Sequence, residues 1–114
     1  MTNTSLTALA REHLEAARAA SSGRSAHTVY GGHEHSLRQT LIALAAGNQL
    51  GEHANPGEAT VHVLQGRVRV VAGDVSWEGA AGHLIVIPDA SHTLEAIEDS
   101  AVLLTVVKLV PPSR

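Results

Sequence analysis

The chain has 114 residues, 44% of them hydrophobic and 17% charged, which is the makeup of one globular domain large enough to bury a core. A net charge of -3, no basic run and an aromatic content of 2% leave neither a phosphate-binding surface nor stacking platforms, so nucleic acid is excluded as a partner. The absence of cysteine removes disulfides, thiolate nucleophiles and cysteine-ligated zinc. The longest apolar runs, LIALAA and AVLLTVVKLV, are too short to cross a bilayer, and no basic-then-apolar leader opens the chain. The expectation is a cytoplasmic protein with no membrane partner.

Thr4 to Ala20 reads as a helix capped by Thr4 or Ser5, with Leu6, Leu9, His13 and Ala17 near helical spacing and a stop at Ser21-Ser22-Gly23. Its single modest apolar stripe must lean on a sheet face, a sheet edge or a second subunit. The division that follows is an N-terminal helix over residues 1–23 and a β domain over 24–114. Beyond Gly23 the chain turns to short strands separated by turn residues. Ser25 to Tyr30 comes first, then Ser36 to Ala46, which is apolar on both faces after Thr40. A short strand around His53 follows Gly47 to Gly51, and Asn55-Pro56-Gly57 reads as a loop. Thr60 to Leu64 leads into a tight turn at Gln65-Gly66. Arg67 to Val71 alternates, with Arg67 and Arg69 outward and Val68 and Val70 inward. Val75 to Glu78, Leu84 to Ile87 and His92 to Ala96 come next, with Pro88-Asp89 as a break. Ala101 to Val110 is a last long strand, ended by Pro111-Pro112. So many short strands, with no helix between them, predict an all-β sandwich or barrel and argue against a parallel sheet. The last strand is apolar on both faces, so its outer side needs a cover, either the helix or a dimer partner.

The chemistry is concentrated in histidines. On a strand, His53 and Asn55 fall on one face. His62 sits mid-strand in VHVL on the next strand, and His92 follows the Pro88 break. Three neutral imidazoles on one inner wall would form a metal site with open positions, suited to Zn, Fe, Ni, Cu or Mn. The same histidines could equally line a polar ligand pocket.

Around these residues the chain resembles the cupin family, whose fold is a β-barrel of jelly-roll type. Gly47, His53 and Gly66 fall at the spacing of the family's first motif, G-x5-H-x-H-x(3,4)-E-x6-G. Gly82 and Pro88 match the second motif, G-x5-P-x-G-x2-H-x3-N, with His92 one position early. The likeness runs over residues 36–108 and is closest to short bacterial cupins carrying NPGEAT, VLQGRV and PDASH segments. Asn55 replaces the second histidine, Ala59 the glutamate, Ala90 the glycine and Ala96 the final asparagine, while Glu58 falls one residue early. The resemblance implies a cupin-type jelly-roll β-barrel preceded by an N-terminal α-helix, a homodimer, and a divalent transition metal. His53 and His92 carry over as ligands by motif, and His62 is added from its place in the strand. The implied chemistry is metal-assisted, on a small polar molecule. The alternatives are a metal-free small-ligand or sensor barrel and a dimeric interaction module without catalysis.

The remaining candidates have plainer readings. His33-Glu34-His35 follows Gly31-Gly32 in a polar segment and reads as solvated, His83 as exposed, and His13 and His27 as surface or edge residues. Trp77 reads as a packing anchor. No nucleophile elbow, P-loop, dinucleotide fingerprint or catalytic carboxylate pair is present.

Overall fold

The computed structural model describes residues 1–53 and 57–108, with Glu52 and His53 described by backbone alone. The Asn55-Pro56 loop and everything beyond Lys108, including the last two residues of the expected final strand and Pro111-Pro112, lie outside the described residues.

Helix α1 covers Leu6–Ala19. Ser5 caps it, its side chain accepting from the Ala8 amide at 3.2 Å and so satisfying one of the free N–H groups of the first turn. The helix ends at Ala20, which has extended backbone, and Gly23 then turns the chain with φ +69°. Nine strands follow among the described residues: β1 (Arg24–Tyr30), β2 (Leu37–Leu44), β3 (Gln49–His53), β4 (Gly57–Gln65), β5 (Arg67–Ala72), β6 (Val75–Ala80), β7 (Leu84–Val86), β8 (His92–Ala96) and β9 (Ser100–Lys108). They form two antiparallel sheets, β1-β2-β9-β4-β7 and β3-β8-β5-β6. The result is a two-sheet jelly roll rather than one continuous hydrogen-bonded cylinder.

The core lies between the sheets. Ile42 and Leu44 of β2, Ala59, Val61 and Val63 of β4 and Val102 of β9 meet Val68 and Val70 of β5 and Leu94 and Ala96 of β8. With no Phe available, aliphatic side chains fill the whole volume, and the alternation of each strand decides which of them enter it. Arg67 and Arg69 stand on the outer face of β5 and pair with Glu78 at 3.2 and 3.5 Å. All three are more than 40% exposed, so these pairs contribute little to stability.

The helix covers the outer face of the five-stranded sheet. Ala10 packs with Leu41 and Ala101, and Leu14 and Ala17 pack with Ala43. The buried stripe is therefore Ala10, Leu14 and Ala17; of the expected Leu6, Leu9, His13 and Ala17, Ala17 is fully buried and Leu9 packs beside the stripe. The small alanines let the helix approach β2 closely, and that rotates His13 to the edge of the contact. This cover explains why β2 from Leu41 to Leu44 is buried on both faces.

One corner ties helix and sheets together. The Asp99 carboxylate accepts from the Ala46 amide at 2.8 Å and from Arg18 Nε at 2.7 Å. Next to it, the buried Ser100 hydroxyl accepts from the Arg67 amide at 3.0 Å and donates to the Glu98 carbonyl at 2.7 Å. The β4–β5 turn passes through the same corner at Gly66, which has φ +85°. A Cβ at position 66 would run into the Asp99 carbonyl oxygen and the Ser100 hydroxyl.

Two predictions come from this corner. Gly66→Ala combines a left-handed backbone with a blocked Cβ, and should cost more than about 1 kcal/mol in urea unfolding. The Ala46 amide and then Arg18 hold the Asp99 carboxyl below the usual carboxylate range. A depressed carboxyl contributes stability that is fully present above its unfolded-state value and is lost as pH falls through the folded-state value. Asp99→Asn should therefore melt below wild type at neutral pH, with the gap in Tm closing as the pH drops past the carboxylate range.

Candidate functional site

The candidate site is built where β3 pairs with β8. On β8, His92, Leu94 and Ala96 are buried and alternate with half-buried neighbours, so His92 points between the sheets and is 6% exposed. Apart from Ser100 it is the one buried polar or charged residue among those described. Its Nδ1 lies 3.0 Å from the Ala90 carbonyl oxygen. A carbonyl can only accept, so Nδ1 carries the proton and, in the neutral ring, Nε2 carries the lone pair. The surrounding wall is aliphatic, formed by Ile42, Leu50, Val61, Val70, Ile87, Leu94 and Leu104. The space left among these side chains, ≈ 10 Å³ for a water's centre, holds about one water.

Position 53 reaches this place through a bulge. Leu50 pairs with Leu94 and His53 pairs with His92, so Gly51 and Glu52 together oppose Thr93 alone. In an unbroken ladder, position 52 would stand opposite His92. The extra residue moves His53 there instead, a re-aiming for which bulges are the usual device. The register thus sets the backbones of two histidines that lie far apart along the chain opposite each other.

His62 does not join them. The expected inward placement fails because β4 alternates without interruption from Ala59 to Val63: Ala59, Val61 and Val63 are buried in the core, and His62 takes the other face. There it stands opposite Leu103 on one side and Leu84 on the other, on the outer surface of the five-stranded sheet. The same phase places Ala59 inward where the family carries its glutamate, and leaves Glu58 exposed, as its one-residue offset implies. Among the described residues, no three His, Cys, Asp or Glu side chains converge to hold a metal ion.

The other histidines separate clearly. His33 and His35 lie in an exposed loop whose carbonyl oxygens accept from Arg38 at 3.1 and 3.2 Å, and His35 sits edge-on to Tyr30. His83 is exposed, its Nδ1 accepting from the Ala80 amide at 3.0 Å. Trp77 lies opposite Val70 on the inner side of the edge strand β6 but is 38% exposed where the two sheets part. The sequence reading missed one group. His13 of α1 lies 2.7 Å from the Ser25 hydroxyl, and its ring stands 5.4 Å from that of His27. Ser25 and His27 are two apart on β1 and so share a face, but no local spacing links them to a helix residue twelve positions earlier.

The chain matches no protein-family model and no curated protein. Its structure is similar to solved ones. A conserved protein of unknown function from Streptococcus pyogenes superposes with a TM-score of 0.72 at 29% identity, over 81% of this chain and 80% of that one. An RmlC-like cupin from Desulfovibrio desulfuricans gives 0.64 at 25% identity, over 74% and 81%. The DMSP lyase DddQ from Ruegeria pomeroyi DSS-3 gives 0.65 at 15% identity, over 79% and 49%, a likeness of fold alone. With Gly47, His53, Gly66, Gly82 and Pro88 at the cupin spacing and a jelly roll of two antiparallel sheets that superposes on solved cupins, the chain has the cupin fold.

Proposed function

We propose that this cupin holds a divalent transition-metal ion at His53 and His92 and acts through it on a small polar molecule. The observation that carries the reading is the β3 bulge, which sets the backbones of the two histidines directly opposite each other at the edge of an aliphatic interior. Directly opposed positions of an antiparallel ladder are the nearest cross-strand neighbours, which is the backbone arrangement that two ligands of one ion need. The proton that His92 gives to Ala90 fits the same reading. Metal-bound imidazoles characteristically donate their other N–H to a carbonyl or carboxylate, which fixes the orientation of the ring.

A bound ion would supply Lewis acidity to an oxygen or nitrogen of the substrate. The chain's own contribution is positioning and exclusion of water. The Ala90 carbonyl holds the His92 ring, and the aliphatic wall keeps the local dielectric low. Alanine at position 59 leaves two neutral imidazoles as the donor set, so the ion keeps its full charge and favours an anionic or oxygen-rich molecule at its open positions. That the same fold occurs in a lyase from Ruegeria pomeroyi DSS-3 is compatible with catalysis here.

A second reading has its own support. The interior has room for about one water, and Leu84 and Val86 on the edge strand β7 are 62% and 72% exposed. Those features suit a metal-free barrel that works as a homodimeric interaction module.

Elemental analysis of tag-free protein, loaded separately with Mn, Fe, Ni, Cu and Zn and then desalted, separates the two readings. The proposal expects at least one retained equivalent, and the loss of one equivalent in both His53→Ala and His92→Gln while their circular dichroism stays that of wild type. No retained metal, or full retention in a folded variant of either histidine, overturns the proposal. In that case sedimentation velocity of wild type against Leu84→Glu tests the second reading, with the dimer expected to dissociate in the variant.

A further inference from the structure

Helix α1 crosses strand β1 at a point where three side chains of metal-site type meet. His13 sits at the edge of the buried helical stripe and is half-buried, while Ser25 and His27 project from the same face of β1 toward it. The Ser25 hydroxyl is 2.7 Å from His13 Nδ1, and the His13 and His27 rings are 5.4 Å apart, inclined at 39°. We propose that His13 and His27 form a second site for a divalent transition-metal ion, pinning the N-terminal helix to the sheet independently of the barrel histidines.

Two features of the geometry support this. The first is the spacing. With metal–nitrogen bonds of about 2.0–2.1 Å, two imidazoles on one ion at tetrahedral to somewhat wider angles have ring centres about 5–5.5 Å apart. The second is the serine. Its oxygen can accept from Nδ1–H of His13, which leaves the Nε2 lone pair for an ion and fixes the ring in the way that partners of metal-bound histidines usually do. His27 is exposed, so water or a further small ligand can fill the remaining coordination positions. An imidazole pair favours Cu, Ni and Zn over harder cations. The ion would bridge two elements that the unfolded chain does not hold together, so binding it stabilises the folded state.

The test uses the full chain carrying His92→Gln, which takes the barrel pair out of consideration. Zn(II) should raise its Tm and bind with one-to-one stoichiometry by calorimetry. Cu(II) should give an electron paramagnetic resonance spectrum with couplings to two imidazole nitrogens. Adding His27→Ala, a change at an exposed position that leaves the core intact, should abolish the Zn(II) shift in Tm and reduce the Cu(II) couplings to one nitrogen. Adding Ser25→Ala instead should keep both nitrogens but weaken Zn(II) binding by about 10-fold or more. Zn(II) affinity unchanged by His27→Ala overturns the site, as does a Cu(II) spectrum with a single nitrogen in the His92→Gln parent or an absence of saturable binding there. None of these results bears on metal at His53 and His92, since the parent already lacks that pair.

Discussion

The phase of each strand, meaning which of its two alternating sets of side chains enters the space between the sheets, is the constraint on which this molecule depends. Strand β4 lies inside the five-stranded sheet, bonded to β9 and to the edge strand β7, and it commits Ala59, Val61 and Val63 to the interior without a break. A slip of one residue would exchange them for Glu58, Thr60 and His62, burying a carboxylate and an imidazole in an aliphatic core. The hydrophobic gain and the cost of burying polar groups therefore select the same register. The chemical consequence is that neither Glu58 nor His62 can serve the barrel interior, however close they lie in sequence to a metal-binding motif.

Strand β3 shows the opposite solution to the same constraint. Its register at Leu50 would set position 52 opposite His92, and one extra residue between Leu50 and His53 sets position 53 there instead. The bulge gives up regular pairing over a short stretch at an edge strand, where the loss is smallest. It also places the correction next to the only titratable side chain, among those described, that is buried in the core. Bulges are common beside binding sites, and the effect of this one on the backbone is to set position 53 rather than position 52 opposite His92.

Much of this was legible in the sequence, because two-residue alternation and turn residues leave strong marks. Val68 and Val70 against Arg67 and Arg69, the turns at Gly66 and Gly73, and the both-faces-apolar stretch after Thr40 all stand where the pattern puts them. The helix was legible in extent but not in orientation. Alanine is ambiguous on an apolar scale, and only the docking against Leu41 and Ala43 shows that Ala10 and Ala17 form the contact while His13 falls at its edge. His62 was misread for a related reason. VHVL has apolar residues on both sides of the histidine, and alternation alone does not say which set is inside until the partners of β4 are known. The meeting of His13 with His27 left no mark at all, since it depends on the angle at which a helix crosses a sheet.

The eight histidines of this chain show how little residue type decides by itself. His33, His35 and His83 are exposed on loops and turns, and their surroundings offer hydrogen bonds to backbone or an aromatic edge. His92 is held by a backbone carbonyl inside an apolar wall. His13 is held by a hydroxyl at the seam between two elements. In the last two cases a neighbour engages one ring nitrogen and so defines what the other can do. Here that constraint comes from Ala90 and Ser25, two residues with no chemistry of their own to advertise. A hydrogen-bonded ring nitrogen is not enough by itself, since the exposed His83 accepts from the Ala80 amide; what sets His92 apart is that its held ring is also buried.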